Sequence, residues 1–274
     1  MLPVVDTTML AKLKPQAKIG NMCWEQRMKG RLMSDLKVYL HIHGVFGSGK
    51  TTFGLTGPSP TLIADVEGAA MKAKAGGYKQ LWSDWDGESI PETVVYPVKE
   101  ESDIKKIIDY LKVGDHPFET FVLDSLTLFQ TKLKRELQQP NQKFNPDAEF
   151  TFHAWNRVLN HMLMQCEDML SLVEPNAKKP INVCLISATD RESAYMRPLL
   201  EGQIRKRLPG LVDIHGFMKA QRDKDDQRHA VLYFEPTDLV DAKCRLWQIA
   251  EAYPQGYIID PTIKEIISII NREE

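Results

Sequence analysis

The stretch from residue 37 to residue 53, KVYLHIHGVFGSGKTTF, constrains this chain more than any other. Val38, Leu40 and Ile42 alternate with Tyr39, His41 and His43, which is the period of a β-strand. The strand runs straight into Gly44, Val45, Phe46, Gly47, Ser48, Gly49, Lys50 and Thr51, with Thr52 next, and so satisfies the spacing G-x-x-x-x-G-K-[ST]. Glycines at these positions let successive backbone N–H groups curl around a polyphosphate, and the helix that follows adds its positive end. Lys50 supplies a point charge to the β- and γ-phosphates, and the Thr51 hydroxyl can ligate Mg²⁺. A four-position match of this kind arises by accident in about one chain per hundred of such a length. The preceding strand and the following TTFGLT reduce that further. Gly44 to Thr52 therefore read as a nucleotide-binding loop.

Composition narrows the class around that loop. With 43% hydrophobic and 26% charged residues over 274 positions, the chain suits one large α/β domain and is too apolar for general disorder. Its 35 Lys and Arg against 37 Asp and Glu leave a net charge of -2, so any nucleic-acid contact must come from local basic segments. No apolar run approaches the ~18 residues that cross a bilayer. MLPVVDTTMLAKLKP lacks the basic-then-apolar order of a secretory signal, so a cytoplasmic protein without membrane contact is expected. Cys23, Cys166, Cys184 and Cys244 are scattered, with no Cys-x-x-Cys pair, and read as reduced thiols.

A phosphate loop alone does not separate kinase, GTPase, helicase and recombinase; the order of later elements does. PTLIADVE (60–67) reads as a second strand ending in Asp65-x-Glu67, and TVVYPV (93–98) as a third. Ile104, Ile107, Ile108 and Leu111 then recur at the spacing of a one-faced helix. Residues 118–125 form an apolar strand ending in Asp124-Ser125, the Walker B pattern whose acid serves Mg²⁺, followed by a helix over 126–137. A polar break at 138–152 precedes a long helix with Trp155, Val158, Leu159, Met162, Cys166, Met169 and Leu170 on one stripe, where Met and Cys read as core filler. Residues 181–187 read as a buried strand running into Ser187-Ala-Thr189-Asp190, before a long loop and further strands near 213–221 and 230–235. Residues 261–270 read as an amphipathic helix that caps the core or docks on another protein. Strands alternating with helices predict a doubly wound α/β fold with its site along the C-terminal edge of the strands. His41 and His43 share one strand face, but no carboxylate or Cys lies near them in sequence, so they read as packed strand residues rather than metal ligands.

This order resembles the RecA-like P-loop ATPases from about residue 37 to about residue 250. The short length and the segment Asp241-Ala-Lys243-Cys-Arg245 look most like the phage nucleotide-binding ATPases, among them the small single-strand annealing proteins of the Sak group. The resemblance implies a RecA-like core over 37–274, a mostly parallel twisted sheet with helices on both faces, after a basic N-terminal arm over 1–36. It implies ATP and Mg²⁺ as cofactors, Glu67 polarising the attacking water, Asp124 and Thr51 serving the metal, and Ser187 or Thr189 sensing the γ-phosphate. It also implies that Lys243 and Arg245 reach a neighbouring subunit's nucleotide in a ring or filament. The Gln usual at the sensing position of RecA is not visible in SATD, and residues 76–89 match nothing in the pattern.

Each assignment has a plainer rival. Asp65 competes with Glu67 for the catalytic role, and Lys243 with Arg245 reads equally as two surface cations until the family pattern is added. The loop at 189–212 holds five cations (Arg191, Arg197, Arg205, Lys206, Arg207) against three acids, with Tyr195 among them. That is a platform for single-stranded DNA or an ordinary solvated loop. The arm to Lys37 carries seven cations against three acids and reads as touching DNA or a second protomer. Trp82 and Trp85 read as partly buried packing. The function expected is ATP-dependent recombination on single-stranded DNA, in a phage-infected bacterial cytoplasm and with a single-strand-binding protein as a further partner. The alternatives are a nucleotide-dependent replication adaptor or loader and, further off, a P-loop small-molecule kinase.

Overall fold

The apolar runs that read as strands come together at the centre of a single sheet. The computed structural model describes residues 36–87, 89–137, 152–190 and 195–272. The expected basic arm therefore lies outside the described residues except for Leu36, as do the polar break at 138–151 and Arg191. In chain order the elements begin β1 (Tyr39–Gly44), α1 (Lys50–Gly54), β2 (Thr61–Asp65), β3 (Lys79–Leu81) and β4 (Thr93–Pro97). They continue α2 (Glu101–Val113), β5 (Thr120–Asp124), α3 (Leu126–Leu137), α4 (Phe152–Leu170) and β6 (Asn182–Ala188). The remainder are α5 (Ile204–Arg207), β7 (Ile214–Arg222), β8 (Arg228–Tyr233), β9 (Lys243–Cys244), α6 (Trp247–Ala252), β10 (Tyr257–Ile259) and α7 (Ile263–Ile270).

The strand order is β10-β8-β7-β1-β6-β5-β2-β4-β3, with β9 paired to β7. Pairing is parallel from β7 through β3 and antiparallel at β7–β8, β8–β10 and β7–β9. Every residue of β1, β2, β5 and β6 is buried, as expected of parallel strands covered on both faces. Alternate residues serve opposite layers. Leu62, Phe121, Leu123, Val183 and Leu185 pack with Ile104 and Ile108 of α2, Phe129 of α3, and Val158 and Met162 of α4. Leu40, Ile42, Ile63, Val122 and Ile186 pack with Phe53 of α1, Ile249 of α6, and Ile263 and Ile266 of α7. α1 lies so close to the sheet that a Cβ on Gly54 would stand 3.0 Å from both Ile186 and Val122. The stripe Met162, Cys166 and Met169 is fully buried core, as its spacing indicated.

β9, α6 and β10 have no counterpart in the sequence reading, and two further segments differ from it. Residues 76–89 hold the short strand β3 and a turn at Trp82–Asp84, so the strand over 93–97 is the fourth. Trp82 and Trp85 there pack on Tyr96, Tyr110 and Phe118, with ring centroids 5.2–5.4 Å apart. The long loop after β6 contains the one-turn helix α5 and a turn at Leu208–Gly210, anchored by the buried side chains of Ile204 and Leu208.

The β7–β8 hairpin is clasped at His229. Its Nδ1 lies 2.6 Å from Asp260 Oδ2 and its Nε2 3.1 Å from Asp223 Oδ2, while Asp260 Oδ1 accepts the Ala230 N–H at 2.9 Å. The Asp260 carboxylate, then that of Asp223, holds the His229 proton on above its ordinary range. Because the folded-state value is raised, this stabilisation is complete below the unfolded value of about 6.5 and is lost as pH rises through the folded one. Melting temperature measured across that window should therefore fall more steeply in wild type than in His229→Gln. Parallel curves would show that no proton is held there.

Candidate nucleotide site

β1 ends at Gly44, and the chain turns through Val45–Gly49 into α1. Gly47 and Gly49 adopt φ of 73° and 99°, a left-handed conformation that side chains oppose, so the loop geometry depends on glycine at both places. Ser48 N–H donates to Val45 O at 3.2 Å, and Phe53 N–H to Gly49 O at 2.8 Å. Lys50 folds back over the loop, its Nζ donating to Gly44 O and Val45 O at 2.9 Å each. The Ser48 hydroxyl is buried with no hydrogen-bond partner among the described residues. A buried hydroxyl is costly when unpaired, so this loop is short of a polar ligand.

One strand, β6, separates β1 from β5, and Asp124 at the end of β5 stands level with Asp65 at the end of β2. The Thr51 hydroxyl donates to Asp124 Oδ2 at 2.5 Å, which joins the loop to the acid-ended strand. Burial lifts the Asp124 carboxyl to about 6; the Thr51 hydrogen bond opposes the rise, and the charges of Glu67 and Asp65 add to it. A buried carboxylate crowded by two others, with one hydroxyl beside it, is chemically suited to a divalent cation.

The two acids of the Asp65-x-Glu67 turn divide their tasks. Asp65 Oδ1 accepts N–H groups from Gly68 at 2.8 Å and Ala69 at 3.2 Å, and Oδ2 accepts that of Ala70 at 3.1 Å. Its lone pairs are occupied in shaping the turn. The main-chain N–H groups of Val66 and Glu67 both reach Asp124 O, at 2.6 and 3.3 Å, which holds the turn against β5 and leaves the Glu67 side chain exposed at the rim. Geometry thus favours Glu67 over Asp65 for a solvent-facing role.

Other expected residues sit elsewhere. Ser187 and Thr189 direct their hydroxyls to the sheet face opposite α1, where Ser187 Oγ is 2.9 Å from His41 Nε2 and Thr189 Oγ1 is 3.0 Å from His43 Nδ1. Lys243 pairs with His215 at the start of β7, which is level with His41, three residues before Gly44 and so about 10 Å back along the strand. Its Nζ donates to Pro209 O at 3.2 Å, and the Arg245 guanidinium donates to Gly210 O. The pair does not join Lys50, Thr51, Asp124 and Glu67 of its own chain. The fold does add one cation that spacing could not reveal: the guanidinium of Arg228, at the start of β8, donates to the Gly47 carbonyl. Arg228 is brought there by the pairing of β8 with β7 and of β7 with β1, so no local pattern marks it.

The glycine-built loop, its lysine, and a hydroxyl bonded to the acid of a neighbouring parallel strand define a P-loop NTPase. A family model described as an AAA domain matches residues 37–246, and the chain belongs to that family. Among curated proteins no match is found. The family match carries the ATP-binding class and does not extend to the Sak group of annealing proteins. Among the described residues no helix is long and apolar enough to cross a membrane, and no group of three or more His, Cys, Asp or Glu residues is arranged to hold a metal ion by itself.

Proposed function

We propose that this chain is a RecA-like phage ATPase of DNA recombination, binding single-stranded DNA and promoting annealing or strand pairing, with ATP held at the border between two copies in a ring or filament. The observation that carries the enzymatic part is the meeting of Lys50, Thr51, Asp124 and Glu67 at one sheet edge. Bound Mg²⁺ would supply charge neutralisation between the β- and γ-phosphates. Thr51 and Asp124 are the residues to hold it. Lys50, now on the loop carbonyls, turns its ammonium to the phosphates when they enter. Glu67 orients water at the exposed rim, and Asp65 keeps that turn in place. Lys243 and Arg245 lie away from their own loop, so their contribution to a γ-phosphate comes from a second copy.

Support for the DNA reading lies around α5. Lys206 and Arg207 are exposed there, close in sequence to Arg197, Arg205 and the half-exposed Tyr195. A cavity of about 510 Å³ opens between this segment and α4, lined by Trp155, Asp190, Pro198, Leu199, Glu201 and Arg205, and the Lys134 ammonium sits 4.4 Å over the Trp155 ring and 2.9 Å from the Glu201 carboxylate. Aromatic faces with nearby cations suit stacked bases and their phosphates. A single-strand-binding protein is a natural further partner on the same substrate.

The test is ATP turnover with and without single-stranded DNA, at two salt concentrations, in wild type and in Lys243→Ala/Arg245→Ala. DNA should stimulate turnover, less so at high salt, and the double variant should bind ATP yet lose about 10³-fold in rate. An adaptor would show no stimulation by DNA, and a kinase would pass phosphate to a metabolite. Wild-type turnover in the double variant would remove the subunit-border site.

A further inference from the structure

Three histidines form a buried layer on the sheet face opposite α1. His41 and His43 come from β1 and His215 from β7; all three are fully buried, with ring centroids 4.9–6.3 Å apart. Imidazoles in such a place need hydrogen-bond partners, and theirs are specific.

His43 is the one whose proton can be located from chemistry alone. Its Nε2 lies 2.8 Å from the main-chain oxygen of Asp241, and its Nδ1 3.0 Å from Thr189 Oγ1. A carbonyl oxygen can only accept, so Nε2 carries the hydrogen. Burial, assisted by His215, lowers His43 to about 3, so the ring is neutral near pH 7 and Nδ1 is a bare lone pair. Thr189 must therefore donate its hydroxyl hydrogen to Nδ1, and its oxygen keeps only acceptor capacity. One imidazole thus clamps the residue just past the end of β6 to the main chain two residues before Lys243.

A second route reaches the same place. His41 Nε2 is 2.9 Å from Ser187 Oγ, and His41 Nδ1 is 2.8 Å from His215 Nδ1. His215 Nε2 faces Asp241 Oδ2 across 3.8 Å and has no hydrogen bond among the described residues. That gap is too long for a hydrogen bond and short enough that a shift of about 1 Å would close it. Both hydroxyls of the β6 end are therefore linked through histidine to Asp241, one to its carbonyl and one towards its carboxylate.

We propose that His43, supported by the His41–His215 pair, is a positioning residue for ATP turnover that couples the β6 end at the nucleotide edge to the Asp241–Arg245 segment. The proposal rests on the ATPase reading above. In this proposal the His215–Asp241 contact, 3.8 Å across here, would close when the segment is drawn towards β7. A role through Asp241 affects how the cation pair is presented and leaves phosphate binding at Gly44–Thr51 untouched.

The test compares His43→Gln, which keeps an N–H donor near the Nε2 position, with His43→Asn, which is too short to reach Asp241. His43→Asn should bind ATP with wild-type affinity and lose about tenfold or more in kcat, within the usual range of coupling between sites, while His43→Gln recovers most of it. Added to Lys243→Ala/Arg245→Ala, His43→Asn should cost nothing further, because both act on one segment. Wild-type kcat in His43→Asn, parallel loss of ATP binding, or fully additive losses would each overturn the proposal. Imidazole ¹⁵N spectra of the wild-type chain give a reading free of folding defects. They should show His43 as the Nε2–H tautomer, with its signals displaced when a non-hydrolysable ATP analogue and Mg²⁺ are added. Signals that stay in place while the analogue binds would overturn the coupling alone. A wild-type chain that neither binds nor turns over ATP would overturn the ATPase reading together with it.

Discussion

Replacing Lys50 with alanine is expected to take ATP turnover to background and to weaken ATP binding by about 100-fold or more, since a charge-assisted phosphate contact inside a preorganised loop is among the strongest single interactions available. The residue is already in place: its ammonium occupies Gly44 O and Val45 O, inside the curl that the phosphates would enter. The substitution removes those two hydrogen bonds as well, so the melting temperature of the nucleotide-free protein is the necessary control. A variant that melts like wild type and still fails to bind ATP places the effect in the phosphate contact. Lys50→Ala with wild-type turnover would mean that hydrolysis, if present, happens elsewhere on the molecule.

The second large effect is expected at Glu67. Glu67→Gln keeps size and hydrogen-bonding capacity while removing the negative charge that orients and polarises a water, so kcat should fall by about 10²- to 10⁴-fold with ATP affinity nearly unchanged. Asp65→Asn supplies the contrast. Asp65 accepts three main-chain N–H groups, and an amide has one oxygen to offer them, so that variant should lower stability and disturb the whole turn. Kinetics that lose kcat alone at Glu67, and kcat together with melting temperature at Asp65, would separate catalyst from support. The reverse result would exchange their roles.

Much of this molecule was legible before any coordinates, and what was not has a common cause. The loop Gly44–Thr51, the acid at Asp124 and the helix over 126–137 are local patterns, fixed by spacing within one element, and the structure places them where that spacing implies. β3 escaped because its three residues are only half-buried and too few to show a period. α5 escaped because a single turn inside a basic, Pro- and Gly-containing stretch gives no repeat to read. The resemblance already set Glu67 ahead of Asp65, but the N–H groups that occupy Asp65 show only in the folded turn, and Arg228 needed two strand pairings far apart in sequence. His41 and His43 are buried strand residues, as their alternation indicated, but their partners Thr189, Asp241 and His215 come from three other segments, so the network they form has no signature along the chain.

The central claim, that a nucleoside triphosphate is held between the β1–α1 turn and the acids ending β2 and β5, is tested most directly by a crystal structure of the full chain with Mg²⁺ and a non-hydrolysable ATP analogue. The account predicts the triphosphate inside Gly44–Thr51, with Lys50 released from the Gly44 and Val45 carbonyls onto the phosphates, the cation between Thr51 and Asp124, and the Glu67 carboxylate facing the terminal phosphate. An analogue bound at any other place, or Lys50 still on the loop carbonyls with nucleotide present, would contradict it.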